Sequence, residues 1–372
     1  MIPFTRPTID DEELDAVAQV LKSGWITTGS KVAQLEEALA EYFGNNVRVR
    51  LFNSGTSALE AVLLAHDIGP GDEVIVPAMS FVATANVVVR VGATPVFVDV
   101  DLRGRNLNAE SVATAISTRT RAVIPVHFAG LAVDMAPLYD LANQHNLLVL
   151  EDAAQAIGTT YQEQQIGSSG NPVCFSFHAN KNMTTIEGGA LACSDERIIQ
   201  RIERIRFHGI ERDEEGLVSV SEWGGKMNLP DVGAALGLVQ LHKLDGFNQR
   251  RQELAHQYLE KLPQHPTLIL PKKAPGHSWH MFCVCLDCTR FAMTRNQLIE
   301  YFRQRGIGLG IHYPAMHLFP LYRRYGYHEG QFPNAEQIGA ETLTLPLFPT
   351  MTDDELQQVC DVFQQCFEDA RV

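Results

Sequence analysis

Residues 73–101 read EVIVPAMSFVATANVVVRVGATPVFVDVD. Two aliphatic runs, EVIVP (73–77) and PVFVDVD (95–101), flank FVATANVVVRVG (81–92), whose apolar positions recur at helical spacing. A strand that is apolar at nearly every position is buried on both faces, and two such strands joined by a helix form a βαβ unit of a parallel sheet. The same rhythm continues through RAVIPVH (121–127), MAPLYDLANQHN (135–146) and LLVLEDAA (147–154). The fold class is therefore α/β, with a mostly parallel sheet covered by helices.

Outward from this core the pattern changes at both ends. Ahead of LDAVAQVL, Asp10 and Glu13 stand at the spacing of a capping box and predict a helix start. Near residue 245 a long polar helix, HKLDGFNQRRQELAHQYLEKL, reads as a connector into the Pro- and Lys-rich LPQHPTLILPKKAPG. The chain is thus expected to divide into a large domain, 1–245, with an N-terminal segment 1–30, and a smaller C-terminal α+β domain, 246–372, ending in a helix over 352–367. A length of 372 residues with 45% hydrophobic content supplies core for both.

Composition narrows the function classes. No run approaches the roughly 20 apolar residues of a membrane span, and MIPFTRPTIDDEELD turns acidic without a basic and apolar leader, so a cytoplasmic protein is expected, with no membrane partner. The seven cysteines are scattered and sit in apolar surroundings, as reduced buried thiols do. Cys285 and Cys288 form a C-x-x-C with no second pair, so no metal site is expected. A net charge of −14 opposes attraction to nucleic acid phosphates.

In open parallel sheets ligands bind beyond the carboxyl ends of the strands. His127, Asp152, Ser176, His178 and Lys181 fall at such ends. Lys181 belongs to FSFHANKNMTTIEGG (175–189), on a turn between the strand-like FSF and ALAC (190–193). Taken alone it reads as a solvated charge, and Asp152 as the N-cap of a following helix. NSGTSALEAVLLAH (53–66) runs small residues directly into an apolar helix, which offers either an ordinary cap or a phosphate cradle of free N–H groups at a positive dipole end. Neither GxxxxGK[ST] nor GxGxxG occurs in the chain. A lysine, an aspartate at a neighbouring strand end and a phosphate cradle are together the parts that pyridoxal 5'-phosphate requires.

Those residues lie within a series of motifs: PFTRP (3–7), SGWITTG (23–29), NSGTSAL (53–59), MSFVATAN (79–86), PVHFAG (125–130), EDAAQAIG (151–158), SFHANKNMTTIEGGA (176–190), MNLPDVGAALGLVQL (227–241), GIHYPAMH (310–317) and TLPLFPTMT (344–352). Over essentially its full length the chain resembles the pyridoxal-phosphate-dependent nucleotide-sugar aminotransferases of the DegT group, which have the fold-type I aminotransferase architecture. SGWITTG and PLFPTMT resemble most closely the enzymes that aminate a 4-keto pentose carried on UDP.

The resemblance implies Lys181 as the Schiff-base lysine and Asp152 as the partner of the pyridinium nitrogen. Gln155, expected on the same helical face as Asp152, would bond the cofactor's phenolic oxygen. Gly55, Thr56 and Ser176 would hold the phosphate, and Asn228 would reach it from the other subunit of a homodimer. The helix after Asn228, rich in Ala and Gly, is expected to pack closely between chains. Phe81 would stack on the pyridine ring, and Trp25, His178 and His312 would lie near substrate; His127 reads equally as a core histidine. The implied activity moves an amino group from L-glutamate to a nucleotide-linked keto sugar, a UDP-4-keto pentose or a 4-keto-6-deoxyhexose. Two alternatives share the fold. A sugar dehydratase needs histidine where Lys181 stands, and a non-catalytic binding protein would place no demand on Lys181 or Asp152.

Overall fold

The computed structural model describes residues 1–290 and 293–369; residues 291–292 and 370–372, within the expected C-terminal unit, lie outside the described residues. The quoted βαβ unit forms as the pattern requires. Strand Glu73–Pro77 is buried at every position, helix Ala83–Arg90 crosses over, and strand Thr94–Val98 pairs with the first in parallel, Ile75 opposite Val96. Each Val or Ile side chain fully withdrawn from water contributes about 1.5–3 kcal/mol, so a strand buried on both faces is held chiefly by its own side chains.

Two four-stranded sheets continue from this unit. In spatial order the first runs 94–98, 73–77, 120–123, 148–149, all parallel, and the second 151–152, 173–176, 189–193, 48–52. They meet where the chain passes from Leu148–Val149 to Glu151–Asp152, and a parallel bridge between Val126 and Asp152 carries the pairing across the join. Strand Gly189–Cys193 is antiparallel to both of its neighbours, Val173–Ser176 and Arg48–Phe52. Lys181 therefore sits on the connection of an antiparallel pair beside parallel strands, and its loop opens at the same edge as the end of Glu151–Asp152.

The N-terminal helix Asp11–Ser23 starts at the expected capping box, with Asp10 and Glu13 bonding reciprocally, and stops at Gly24 in the left-handed conformation, φ 77°. The two segments read separately as an apolar helix and a polar connector form one helix, Asp231–Lys261, of 31 residues and roughly 46 Å in length. Residue 245 lies inside it. Two of its glycines make close contacts within the chain: a Cβ on Gly233 would stand 3.0 Å from Thr185 O, and one on Gly237 would stand 2.7 Å from Thr185 Cγ2 and 2.8 Å from Leu35 Cδ2. The helix thus presses directly on the loop that carries Lys181.

Beyond it a three-stranded antiparallel sheet, Leu268–Ile269, Phe282–Leu286 and Thr342–Leu345, packs with helices Arg295–Gln304 and Asp353–Asp369 around Trp279, Phe282, Phe302 and Phe363. The first residues of the chain join this part: Ile2 bridges to Ile307, and Phe4 O accepts the Leu347 N–H at 3.1 Å. All seven cysteines are free; Cys288 is half-buried and the other six are buried. Among the described residues no cluster of three or more His, Cys, Asp or Glu side chains forms a metal set, and no helix is long and apolar enough to cross a membrane.

Candidate active site

A cavity of about 350 Å³ opens where the strand ends meet. Eight of the residues singled out by sequence line it together: Gly55, Thr56, Phe81, Asp152, Gln155, Ser176, His178 and Lys181. Four do not. His127, Trp25, Asn228 and His312 stand elsewhere, although Tyr313, the neighbour of His312, is in the wall.

The cradle is made by helix Gly55–Ala65. Ser54 caps it, its Oγ accepting the Ser57 N–H at 3.0 Å, so the Gly55 and Thr56 N–H groups at its start have no intrahelical partner. Space there is set by glycine. A Cβ on Gly55 would lie 3.0 Å from Phe175 O and 3.1 Å from Ser176 Cβ, and one on Gly189 would lie 2.5 Å from Ser54 C and 2.6 Å from Ser54 O. Gly189, at the end of the lysine loop, is thus what lets strand Gly189–Cys193 pass beneath the helix start.

Asp152 is buried at its strand end. Its Oδ1 accepts the Ala154 N–H at 3.1 Å and its Oδ2 accepts the Thr84 hydroxyl at 2.8 Å. No helix follows it, so it caps none. Burial pushes its carboxyl above the ordinary range, and the Thr84 hydroxyl, the Ala154 N–H and the Lys181 charge pull the other way. Burial pushes the Lys181 amine down from 10.5 to about 8, against the attraction of Asp152. An amine in that range is partly neutral near neutral pH, as a nucleophile or proton carrier must be.

Gln155 corrects one expectation. The segment after Asp152 folds as successive turns, with Ala156 N–H to Ala153 O at 2.9 Å and Thr159 N–H to Ala156 O at 3.0 Å, so Gln155 shares no helical face with Asp152. It reaches the cavity nonetheless. Its Oε1 is occupied by the Ala129 N–H at 2.7 Å, which leaves the Nε2 donor for a ligand.

The histidines separate by environment. His127 is fully buried, with Nε2 2.9 Å from Glu151 Oε2 and Nδ1 accepting the Val133 N–H at 3.1 Å, in a core network that also includes Tyr139. His178 lies at the mouth, 2.8 Å from Asn180 Oδ1 and 3.6 Å from Glu187 Oε1. His312 bonds Thr344 Oγ1 at 2.7 Å, and burial, with the charges of Lys181 and Arg105, pushes it down to about 4, so it is neutral at physiological pH.

Trp25 and Asn228 form a separate unit. Trp25 Nε1 donates to Thr28 O at 3.2 Å, Thr28 Oγ1 donates to Leu229 O at 2.7 Å, and Asn228 Nδ2 donates to Thr28 Oγ1. Trp25 itself is exposed. The residues that sequence reading missed are Thr84 and Ser80. Both stand in MSFVATAN, but a hydroxyl in a helical segment carries no sign that it faces a carboxylate 68 residues away.

A free helix start, a donor amide, a buried carboxylate and a lysine of lowered pKa around one cavity fit the phosphate, phenolic oxygen, pyridine nitrogen and aldehyde of pyridoxal phosphate. The description DegT/DnrJ/EryC1/StrS aminotransferase family matches residues 7–364. The chain belongs to that family. Among solved structures, Spr1654 of Streptococcus pneumoniae, named as a sugar aminotransferase and solved in PMP and PLP forms, is similar at 30% identity; in the PMP form the match covers 99% of this chain and 100% of that one, with a TM-score of 0.93. DesV of S. venezuelae is similar at 35% identity over 95% and 94% of the two chains, TM-score 0.89. PseC of Helicobacter pylori, an aminotransferase of pseudoaminic acid biosynthesis, is similar at 29% over 99% of each, TM-score 0.92. The architecture is that of the fold-type I aminotransferases, the cofactor is pyridoxal phosphate, and the protein is a sugar aminotransferase.

Proposed function

We propose that this aminotransferase takes an amino group from L-glutamate and gives it to a keto sugar carried on a nucleotide, a UDP-4-keto pentose or a 4-keto-6-deoxyhexose, yielding a 4-amino sugar and 2-oxoglutarate. The observation that carries the reading is the meeting of Lys181 and Asp152 in the wall of one cavity whose far side is a free helix start. Bound pyridoxal phosphate supplies a carrier for the amino group and a sink for the electrons of the carbon that loses its proton.

The chain's own residues do the rest. The Gly55 and Thr56 N–H groups and the Ser176 hydroxyl hold the phosphate. Asp152 would hold the pyridine nitrogen protonated, and Gln155 Nε2 would donate to the phenolic oxygen. Phe81 covers the ring. Lys181, its amine partly neutral near neutral pH, would take the proton from the substrate carbon as a general base and return it as a general acid. A lysine here, where a dehydratase would carry histidine, favours transamination.

A cavity of about 350 Å³ is at the small end for a ligand site, enough for the cofactor and the reacting part of the sugar. The nucleotide then lies across the mouth, beside His178, with His312 and Trp25 in the substrate region. Trp25, Ile26, Leu217, Val218, Val220 and Trp223 are exposed apolar residues, and in this reading a second copy of the chain covers them. The site is completed by Asn228 of the partner subunit, which reaches the phosphate.

The test is a single turnover. Protein loaded with pyridoxal phosphate and given L-glutamate without sugar should lose its visible absorbance and release 2-oxoglutarate in proportion to loaded sites, and Lys181→Ala should do neither. Unchanged absorbance in the wild type would overturn the reading of the donor.

A further inference from the structure

Thr84 lies in the first turn of helix Ala83–Arg90 and is fully buried. A buried hydroxyl costs free energy unless it is bonded, so what it bonds to is informative. Its O–H donates to Asp152 Oδ2 at 2.8 Å. An ionised carboxylate only accepts, which commits that proton and leaves the Thr84 oxygen as acceptor in its second contact, 3.1 Å from the Ser80 hydroxyl. The Ser80 proton is committed in turn. The two hydroxyls form a directed chain, Ser80 to Thr84 to Asp152, with every proton pointing at the carboxylate.

The chain has one open end. Ser80 and Asp152 both line the cavity, and Thr84 sits behind them. Thr84 on Oδ2 and the Ala154 N–H on Oδ1 fix the carboxylate plane while leaving each oxygen a lone pair for the cavity. The other groups that face Asp152 are Lys181, whose charge would favour its ionised form, the His127 ring, whose Nδ1 is spent on the Val133 N–H, and Cys174 and Tyr313, whose own ionisation is suppressed by burial and by Asp152. Of the interactions that oppose burial at Asp152, the Thr84 bond is the strongest.

We propose that Thr84, backed by Ser80, is the positioning residue for Asp152, holding the carboxylate ionised and aimed at the nitrogen of the bound pyridine ring. This rests on the reading of Asp152 as the pyridinium partner. A neutral or rotated acid at this place could not keep the ring nitrogen protonated, so Thr84, from behind the cavity wall, sets the electron demand of the cofactor through Asp152.

The experiment compares Thr84→Val, Thr84→Ser, Ser80→Ala and Asp152→Asn with wild type by two readouts: the titration of the Asp152 carboxyl carbon by NMR in the apoenzyme, and kcat and KM for the amino donor against pH in the loaded enzyme. Loss of a hydrogen bond to a charged group should raise the Asp152 midpoint in Thr84→Val by about one pH unit or more and lower kcat about 10-fold or more, with the acid limb moved to higher pH. KM should change little. Thr84→Ser should restore both readouts, and Ser80→Ala should move both in the same direction by less. Thr84→Val with the wild-type titration and kcat would overturn the proposal, as would an unmoved Asp152 midpoint in Ser80→Ala should Thr84→Val not fold. Asp152→Asn separates the two readings. Near-normal turnover there removes the pyridinium role and this inference with it, whereas a dead Asp152→Asn beside a normal Thr84→Val removes the inference alone.

Discussion

Gln155 Oε1 accepts the backbone N–H of Ala129 at 2.7 Å, and Ala129 offers that N–H from a left-handed backbone, φ 54°. A turn that few residues with a Cβ adopt therefore decides which end of the Gln155 amide meets the ligand. The donor end is the one left for the cavity, as the proposed bond to an anionic phenolic oxygen requires.

Gln155→Glu should keep the Ala129 bond and replace the donor by a second acceptor. The cofactor would then face a charge of its own sign instead of a hydrogen bond, a change of roughly 1.5–3 kcal/mol, or about 10- to 150-fold in the dissociation constant of pyridoxal phosphate. Fluorescence titration of the apoenzyme measures it, and an unchanged constant would remove Gln155 from the cofactor's contacts.

Lys181 gives a pH signature to the apoenzyme. Its amine is pushed from 10.5 down to about 8 in the folded chain, so between those values the unfolded chain binds the extra proton and stability rises with pH. Below about 8 the folded chain carries a charge that burial disfavours. Denaturation of apo wild type and apo Lys181→Met should show the methionine variant ahead at neutral pH and its advantage shrinking from about pH 8 towards 10.5. A constant difference across that window would contradict the lowered pKa.

Gly189→Ala tests the close passage under the cradle. The new Cβ would meet backbone, 2.5 Å from Ser54 C and 2.6 Å from Ser54 O, and backbone yields less readily than a side chain end. The expected cost is on the order of 1–3 kcal/mol, with the helix start displaced and cofactor content reduced. Full loading and wild-type stability together would show that the passage has slack.

These outcomes bear on how far the sequence could be read. The βαβ unit at 73–101 and the lysine loop between FSF and ALAC were legible because burial on both faces and tight connections leave local patterns. Gln155 was placed on a helix because three residues of separation suit one; the structure uses consecutive turns, and the side chain reaches the cavity through Ala129 instead. His127 lies four residues past strand 120–123, after the isolated bridge of Val126, and its ring is spent on Glu151, since the side chain's direction follows from a register that the segment alone does not fix. Thr84 was invisible for the same kind of reason: its partner is set by the sheet, not by spacing. Gly233 and Gly237 make close contacts to Thr185 and Leu35 within the chain, which the composition of their segment does not show.

Asn228 carries the prediction about the proposed dimer. It stands outside the cavity, held by Thr28 and Lys226. Under limiting cofactor, Lys181→Ala and Asn228→Ala should each be weak alone. After dissociation and random reassociation, a hybrid dimer with sites shared between subunits has one site with both defects and one with neither. Activity should then exceed the average of the parents. With proven exchange and no such gain, Asn228 acts within its own chain or outside the site.

The most direct test of the whole account follows the amino nitrogen itself. Protein loaded with pyridoxal phosphate is incubated with L-glutamate labelled in its amino nitrogen and, separately, with UDP-, dTDP- and GDP-linked 4-keto sugars, pentoses and 6-deoxyhexoses included, and each product is read by mass spectrometry. The account predicts labelled nitrogen in at least one amino sugar, 2-oxoglutarate in equal amount, and no transfer by Lys181→Ala. Label that enters none of the sugars while 2-oxoglutarate is still released, or transfer that persists without Lys181, would contradict it.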